Sequence, residues 1–407
     1  MSRILAAWEM GANMGHIDRM LVSARALRER GHEVVFALRD LSRAQARVAA
    51  QGFAMLQAPV WLPRLANPPR LGNYSAVLAS AGWLDGPGLA GLLSGWRALY
   101  RLVGAQAIIS DHAPTAMLAA RDSGMVSWAI GNSFEIPPPG SFFPSMRLGD
   151  PVDTARCAGY DATVLAPANQ ALALLGLPPL PRLTDLFLPV RQAIASLPEL
   201  AHYDGYPSTT VWAGPCYVGD VGAAPLWPAA AVVGAPRVFV YLSPTHPGFR
   251  PVIQALRALD VPALVHAKGL SAEAGARLGG ARIRFEPAPL QMDPAASQAD
   301  IVVSHASLGT ATAALLAGKP QLLLPSHAEQ GMVARRIVAA GCGLAMPVLA
   351  DAPLAVGAAA PDALALLQRL LEQDSFASSA RALAARHAGT TPQQTGQMLA
   401  ALIEASL

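Results

Sequence analysis

Cysteine is scarce in this chain: Cys157, Cys216 and Cys342 are the only three among 407 residues, and they stand far apart. An odd number at such spacing supports neither a disulfide framework nor the short ligand pairs of a zinc site, and it points to a reduced, cytoplasmic compartment. Charge is scarce as well, at 14% of residues, and balanced, with 30 Lys and Arg against 27 Asp and Glu for a net +3. No basic run or aromatic-basic ladder stands out, which argues against a nucleic-acid partner. Uninterrupted apolar runs are also missing. The stretch 223–236 is broken by proline and glycine and falls short of the ~20 residues of a membrane span, leaving room only for peripheral membrane contact. Glu9 stands where a signal peptide would need its apolar core, so residues 1–11 read as a first strand.

What is abundant is apolar residues, 53% of the chain, as expected of a compact globular protein. A length of 407 residues exceeds what one core usually serves, so two domains are expected. Strand-like segments at 3–8, 32–38, 105–110 and 125–130 alternate with helical patterns, the rhythm of βαβ units and a parallel sheet. From 150 to 227 the rhythm weakens and prolines accumulate; it resumes with short buried strands at 238–242, 263–266, 283–285, 301–304 and 321–324. The fold class is therefore α/β, with two Rossmann-like, doubly wound parallel-sheet domains. The expected division is a first domain at 1–215, a linker at 216–235, a second domain at 236–390 and a terminal helix at 391–407 that packs back on the first domain.

Open parallel sheets bind ligands outside the carboxyl ends of their strands, so the loops after strands are the places to search. The first loop, Gly11-Ala12-Asn13-Met14-Gly15-His16, delivers His16 to the start of a helix. It lacks the G-x-G-x-x-G spacing, so a dinucleotide-dependent dehydrogenase loses its main support. Asp111 ends the strand at 105–110, with His112 beside it as a weaker base candidate. Both loops lie at the same sheet edge, where His16 and Asp111 can meet as a base and its orienting carboxylate. Taken singly, each residue is better explained structurally, His16 by capping or packing at a helix start and Asp111 by capping the helix that begins near Pro114.

In the second half, Ser304-His305-Ala306-Ser307-Leu308-Gly309-Thr310 runs from a strand into a helix whose first N–H groups suit a diphosphate. One strand later Glu329 and Gln330 stand side by side, able to grip sugar hydroxyls. In isolation, an ordinary strand-to-helix turn capped by Ser307 or Thr310 is the default reading, and Glu329 fits the dipole preference of a helix start.

Together these segments resemble the UDP-glycosyltransferase superfamily with the GT-B fold, particularly bacterial enzymes that glycosylate natural products and macrolides. Gly15-His16-Ile17 followed by Arg30-Gly31-His32-Glu33-Val34 is similar to that family's opening, and Ile109-Ser110-Asp111 to the segment supplying the aspartate. The stretch 299–330, ADIVVSHASLGTATAALLAGKPQLLLPSHAEQ, resembles its donor-binding signature. Ala213-Gly214-Pro215 is similar to the motif before its interdomain linker.

The resemblance implies two domains facing across a cleft, the first for the acceptor and the second for the donor. It implies His16 and Asp111 as catalytic residues. His305, Ser307, Gly309 and Thr310 would meet the donor diphosphate, Glu329 and Gln330 the donor sugar, with Gly15, Ser243 and Thr245 as further loop contacts. It further implies a UDP- or dTDP-sugar co-substrate, a small apolar acceptor, inversion at the anomeric carbon, and neither metal nor cofactor. The sequence departs from the family at Ala306 and Ser307, where two glycines are common. It departs again at Ser243-Pro244-Thr245-His246, where Gly-Thr is common, and in 285–292, which lacks the tryptophan of plant members. A non-catalytic nucleotide-binding protein of the same fold is the rival reading, and a nucleotide-sugar epimerase a more distant one. The aromatic-rich segment 61–96, including Trp83 and Trp96, reads as irregular and offers either an acceptor wall or ordinary core.

Overall fold

The structure, a computed structural model, describes all residues except 12–13, 64, 66, 68, 71, 148–152, 189, 220–221, 231–233 and 347–361. Ala12 and Asn13 of the first loop, parts of segment 61–96 and parts of the linker at 216–235 thus lie outside the described residues. The chain divides into two compact units. One comprises 1–197, 203–217 and 391–407; the other comprises 198–202 and 218–390.

The first unit is built on six parallel strands, β1 (Arg3–Trp8), β2 (Glu33–Leu38), β3 (Ala54–Gln57), β4 (Ala107–Asp111), β5 (Val126–Gly131) and β6 (Arg191–Ile194), in the order β3-β2-β1-β4-β5-β6. The order reverses between β1 and β4, and there a parallel sheet opens its binding crevice. Trp8 and Asp111 are register partners at that point.

Alternate residues of β1 feed two cores, as the two-residue period of a strand requires. Leu5 and Ala7 face one core with the helix Gly86–Val103, while Ile4, Ala6 and Trp8 face the other with the helix Gly15–Glu29. The terminal helix Pro392–Glu404 completes the second core with Leu399, Ala400 and Ile403, all fully buried. Gly396 allows the close approach, because a Cβ there would collide with the Val22 carbonyl. Glu404 fastens the helix at 2.8 Å from Arg30, and Trp128 donates to Ser406 at 3.0 Å.

The second unit repeats the plan with β7 (Val238–Tyr241), β8 (Ala263–His266), β9 (Ile283–Phe285), β10 (Ile301–Ser304), β11 (Gln321–Leu323) and β12 (Gly343–Ala345), again six parallel strands, in the order β12-β11-β10-β7-β8-β9. Its switch point lies between β10 and β7, bringing Ser304 level with Tyr241. The short segment 198–202 belongs to this unit. Ala201 accepts a hydrogen bond from Arg336, and Glu199 lies 2.9 Å from His387.

The α/β class and both parallel sheets agree with the sequence reading. Strands β3, β6 and β12 are additions, each of three or four residues at a sheet edge. Segment 61–96 is a correction, because it contains the helix Ser75–Ser80 and most of the helix Gly86–Val103. Trp83 and Trp96 are fully buried core residues there, not an acceptor wall. No helix among the described residues is long and apolar enough to cross a membrane.

Candidate active site

At the carboxyl end of the first sheet, His16 enters on the first turn of the helix Gly15–Glu29 and Asp111 closes β4. The topology brings these residues together across 95 positions of sequence, with Nδ1 of His16 2.7 Å from Oδ1 of Asp111. The Asp111 side chain is fully buried and that of His16 is 9% exposed. With Nδ1 donating to the carboxylate, Nε2 carries the free lone pair. That nitrogen faces Gly11, whose φ of +83° and missing side chain make room for it; a Cβ on Gly11 would overlap Nε2. Arg39 fixes this turn by donating to the Gly11 carbonyl at 2.9 Å. Gly15, the other loop glycine, opens the helix with no atom near its Cβ position.

Two further charged groups complete the cluster. Arg19, one turn after His16 on the same helix face, donates through Nε to Oδ2 of Asp111 at 2.8 Å and through Nη2 to Oδ1 at 2.7 Å. The same Nη2 reaches Glu135 at 2.8 and 2.9 Å. Glu135 sits in the loop after β5 and accepts the Asn132 N–H at 3.1 Å. Burial opposes ionisation of Asp111, but the Arg19 guanidinium and His16 outweigh it and hold the carboxyl below its usual range. Burial likewise works against the Arg19 charge, and Asp111 and Glu135 overcome it, so the guanidinium stays firmly protonated.

The imidazole of His16 lies between two rings, Trp8 at 5.6 Å and His112 at 5.6 Å. His112 occupies the left-handed region with φ +49°, and burial keeps it neutral by pushing its pKa well below the usual value. Nearby, Glu9 caps the helix Pro114–Ala120 by accepting the N–H of Thr115 at 2.9 Å, and burial raises its carboxyl to about 7.

His16, His112 and Glu135 present ligand atoms within 4.8 Å of one another, close enough to share a metal ion. Both Glu135 oxygens are already bound by the Arg19 guanidinium, however, and a dication would have to displace that cation. The donor set is that of an ion-pair cluster.

The second sheet presents a different surface. His305 follows β10, and its Nε2 accepts the Ser243 N–H at 2.7 Å. The ring proton therefore sits on Nδ1, directed at the Leu324 carbonyl at 3.3 Å and Ser326 Oγ at 3.4 Å. Burial lowers the His305 pKa, in keeping with a neutral ring. Ser243 and Thr245 hydroxyls are 2.7 Å apart, and Ser307 donates to Thr310 at 3.1 Å.

The helix Leu308–Leu316 starts at this point, with Gly309 and Thr310 in the first turn, ahead of the helix's own hydrogen bonding. Ala306, in a position where the resembling family commonly has glycine, adopts φ +62° while fully buried. The turn thus keeps a glycine-like path at a cost of roughly 1–2 kcal/mol. After β11, Gln330 accepts the Ser326 N–H at 2.8 Å. The Glu329 carboxylate is 24% exposed and lies 3.9 Å from His202, a fully buried residue of the segment 198–202.

Sequence reading thus located His16 and Asp111 but missed Arg19, Glu135 and the ring contacts of Trp8. Arg19 carried a signal, its spacing of three from His16. Glu135, in a proline-rich loop, carried none.

Residues 254–402 match the family model described as the erythromycin biosynthesis protein CIII-like, C-terminal domain. No curated protein matches the sequence. Among solved structures, the chain is similar to the glycosyltransferase of kitacinnamycin, with a TM-score of 0.69 and 19% identity over 100% of this chain and 99% of that one. It is similar to the spinosyn rhamnosyltransferase SpnG, with a TM-score of 0.65, 19% identity and coverage of 100% and 99%. It is also similar to SnogD from Streptomyces nogalater, with a TM-score of 0.62, 19% identity and coverage of 98% and 99%. SpnG has in addition been solved with spinosyn aglycone and with thymidine diphosphate. The two-domain GT-B fold is that of these natural-product glycosyltransferases, and the likeness spans the whole chain.

Proposed function

We propose that this protein is a glycosyltransferase that moves a sugar from a UDP- or dTDP-sugar to a hydroxyl of a small, apolar natural-product acceptor. The observation that carries the reading is the 2.7 Å contact between His16 and a buried, ionised Asp111 at the switch point of the first sheet. A neutral imidazole with its Nδ1–H held by a carboxylate is a general base with a fixed tautomer.

In the reaction, Nε2 of His16 takes the acceptor's hydroxyl proton as that oxygen attacks the anomeric carbon. The bond from that carbon to the diphosphate oxygen breaks, and its electron pair leaves with the nucleotide diphosphate. A single displacement of this kind inverts the anomeric configuration. Asp111 stabilises the imidazolium that results.

On the second unit, the first turn at Leu308, Gly309 and Thr310 supplies N–H groups and the positive end of the helix dipole to the leaving diphosphate, without a metal ion. The hydroxyls of Ser243, Thr245, Ser307 and Thr310 add hydrogen bonds to the phosphates. His305, whose Nε2 accepts the Ser243 N–H, shapes the loop, and it meets a phosphate oxygen as the tautomer or cation that carries a proton on Nε2. Glu329 and the free amide of Gln330 take the sugar hydroxyls. SpnG, of the same fold, binds thymidine diphosphate and spinosyn aglycone, which supports both halves of this assignment.

The reading is tested by a thermal-shift panel of UDP-glucose, dTDP-glucose and dTDP-rhamnose, followed by turnover with macrolactone, anthracyclinone and flavonol acceptors in EDTA. Stabilisation by at least one donor and an inverted glycoside are expected. A panel in which no nucleotide sugar raises the melting temperature, or a product of retained configuration, would contradict it.

A further inference from the structure

The four ionisable groups of this cluster, Asp111 among them, hold more charge than a base and its orienting partner need. Arg19 alone, with its two bonds to Asp111, would already neutralise that carboxylate. Yet a second carboxylate, Glu135, is buried against the same guanidinium with only 4% of its side chain exposed. Removing a charge from water is costly unless something compensates it.

The compensation becomes visible on adding the charges. With His16 neutral, Arg19 contributes +1 and Asp111 and Glu135 each contribute −1, a sum of −1. With His16 protonated, the cluster sums to zero. Three neighbouring groups leave this count unchanged. His112 is kept neutral by burial, the Cys216 thiol beside the Arg19 carbonyl is pushed up to about 12, and Arg39 is exposed and turned to Gly11. Counted over these four groups, the buried cluster is therefore balanced when His16 carries the acceptor's proton and sums to −1 when it does not. Groups preorganised for charge that develops in the reaction are the usual source of electrostatic catalysis.

We infer that Arg19 and Glu135 are positioning residues of the proton-transfer site, Arg19 by clamping Asp111 in its orientation toward His16 and Glu135 by supplying the counter-charge to the imidazolium. Glu135 Oε1 stands 3.6 Å from Nδ1 of His16, near enough to act on its charge. This inference rests on His16 being the base.

The test uses the full-length protein with the donor and acceptor that give the highest turnover in the panel above. Glu135→Gln keeps the shape and an oxygen for Arg19 but removes the charge. It should lower kcat about 10- to 100-fold with acceptor KM and donor KM within about twofold of wild type. Arg19→Met leaves two carboxylates against one imidazole, favouring the imidazolium before any acceptor has reacted, and should lose at least as much. The double variant Arg19→Met/Glu135→Gln returns the resting charge to −1 on Asp111, so it should turn over faster than Arg19→Met alone, by about tenfold.

Single losses that simply multiply in the double variant, or a wild-type kcat in Glu135→Gln, overturn the inference. Should Arg19→Met fail to fold, Glu135→Asp decides, since it keeps the charge and should retain more kcat than Glu135→Gln. His16→Ala separates the two levels: an inactive His16→Ala beside an unaffected Glu135→Gln refutes the charge balance alone, whereas an active His16→Ala refutes the base itself.

Discussion

At the carboxyl end of the first sheet, His16, Asp111, Arg19 and Glu135 are packed within hydrogen-bonding reach of one another and almost wholly buried. The matching end of the second sheet, on the same architecture, offers hydroxyls, neutral imidazoles and a helix start, with Glu329 as its part-exposed carboxylate. Under the proposed function, the difference follows from the chemistry assigned to each end. Moving a proton requires a charge that can appear and vanish in a low dielectric, so fixed counter-charges must be buried with it. Holding a diphosphate requires many weak donors and no change of protonation, which backbone N–H groups and hydroxyls provide.

The contrast is broken most severely at Gly11. In Gly11→Ala the new methyl group occupies the space of Nε2 of His16 at a backbone φ of +83°. The imidazole must turn away from Asp111, and transfer should fall by about 100-fold or more while nucleotide binding to the second unit is retained. Transfer rates and the nucleotide diphosphate Kd, measured on the same preparation, check this. Equal losses in both would erase the distinction between the two ends.

A second effect concerns the cost of buried charge near the first site. Glu9 titrates at about 7 in the fold against 4.5 in its ordinary state, mainly because it is buried. Between those values the native state binds more protons than the unfolded one, so stability falls as pH rises, by up to about 3 kcal/mol, and levels off above that window. Glu9→Gln keeps an acceptor for the Thr115 N–H and removes the titration. Urea midpoints at pH 5 and pH 8 should therefore drop in wild type and stay nearly level in Glu9→Gln. Parallel profiles would mean that Glu9 is ionised throughout.

The smallest effect is expected at the second site. Ala306→Gly removes the left-handed strain but adds the chain entropy of glycine, so the net change in stability should stay under about 1 kcal/mol and donor affinity within about twofold. A tenfold gain in donor affinity would show that the loop does not already have its glycine-like path. Thermal melts with titration of the donor read both quantities.

How far the sequence foretold this depended on the kind of signal each residue carries. Strand-ending loops in a parallel sheet are confined to one edge, which is why His16 and Asp111 could be paired across a long separation. The central strands were legible because they are buried on both faces and read as apolar runs. β3 (AMLQ) and β6 (RQAI) carry polar residues at the sheet edges and lack that run, as does the three-residue β12 (GLA).

Arg19 looks from sequence like any cation on a helix's wet face, and only the position of Asp111 in space turns it inward. Glu135 reaches the site through a loop whose course no periodicity encodes. For Trp83 and Trp96 the sequence left two readings open, a ligand wall or ordinary core, and the structure buries both in the core. Ala306 shows that a sequence departure need not be a structural one, because its backbone takes the conformation that glycine would.

The division of labour between the two ends is tested most directly by His16→Ala, with transfer and nucleotide diphosphate affinity measured side by side. Transfer should fall about 10²- to 10⁴-fold, with the Kd for UDP or dTDP unchanged within about twofold. Transfer at the wild-type rate, or loss of nucleotide binding in step with transfer, would contradict it.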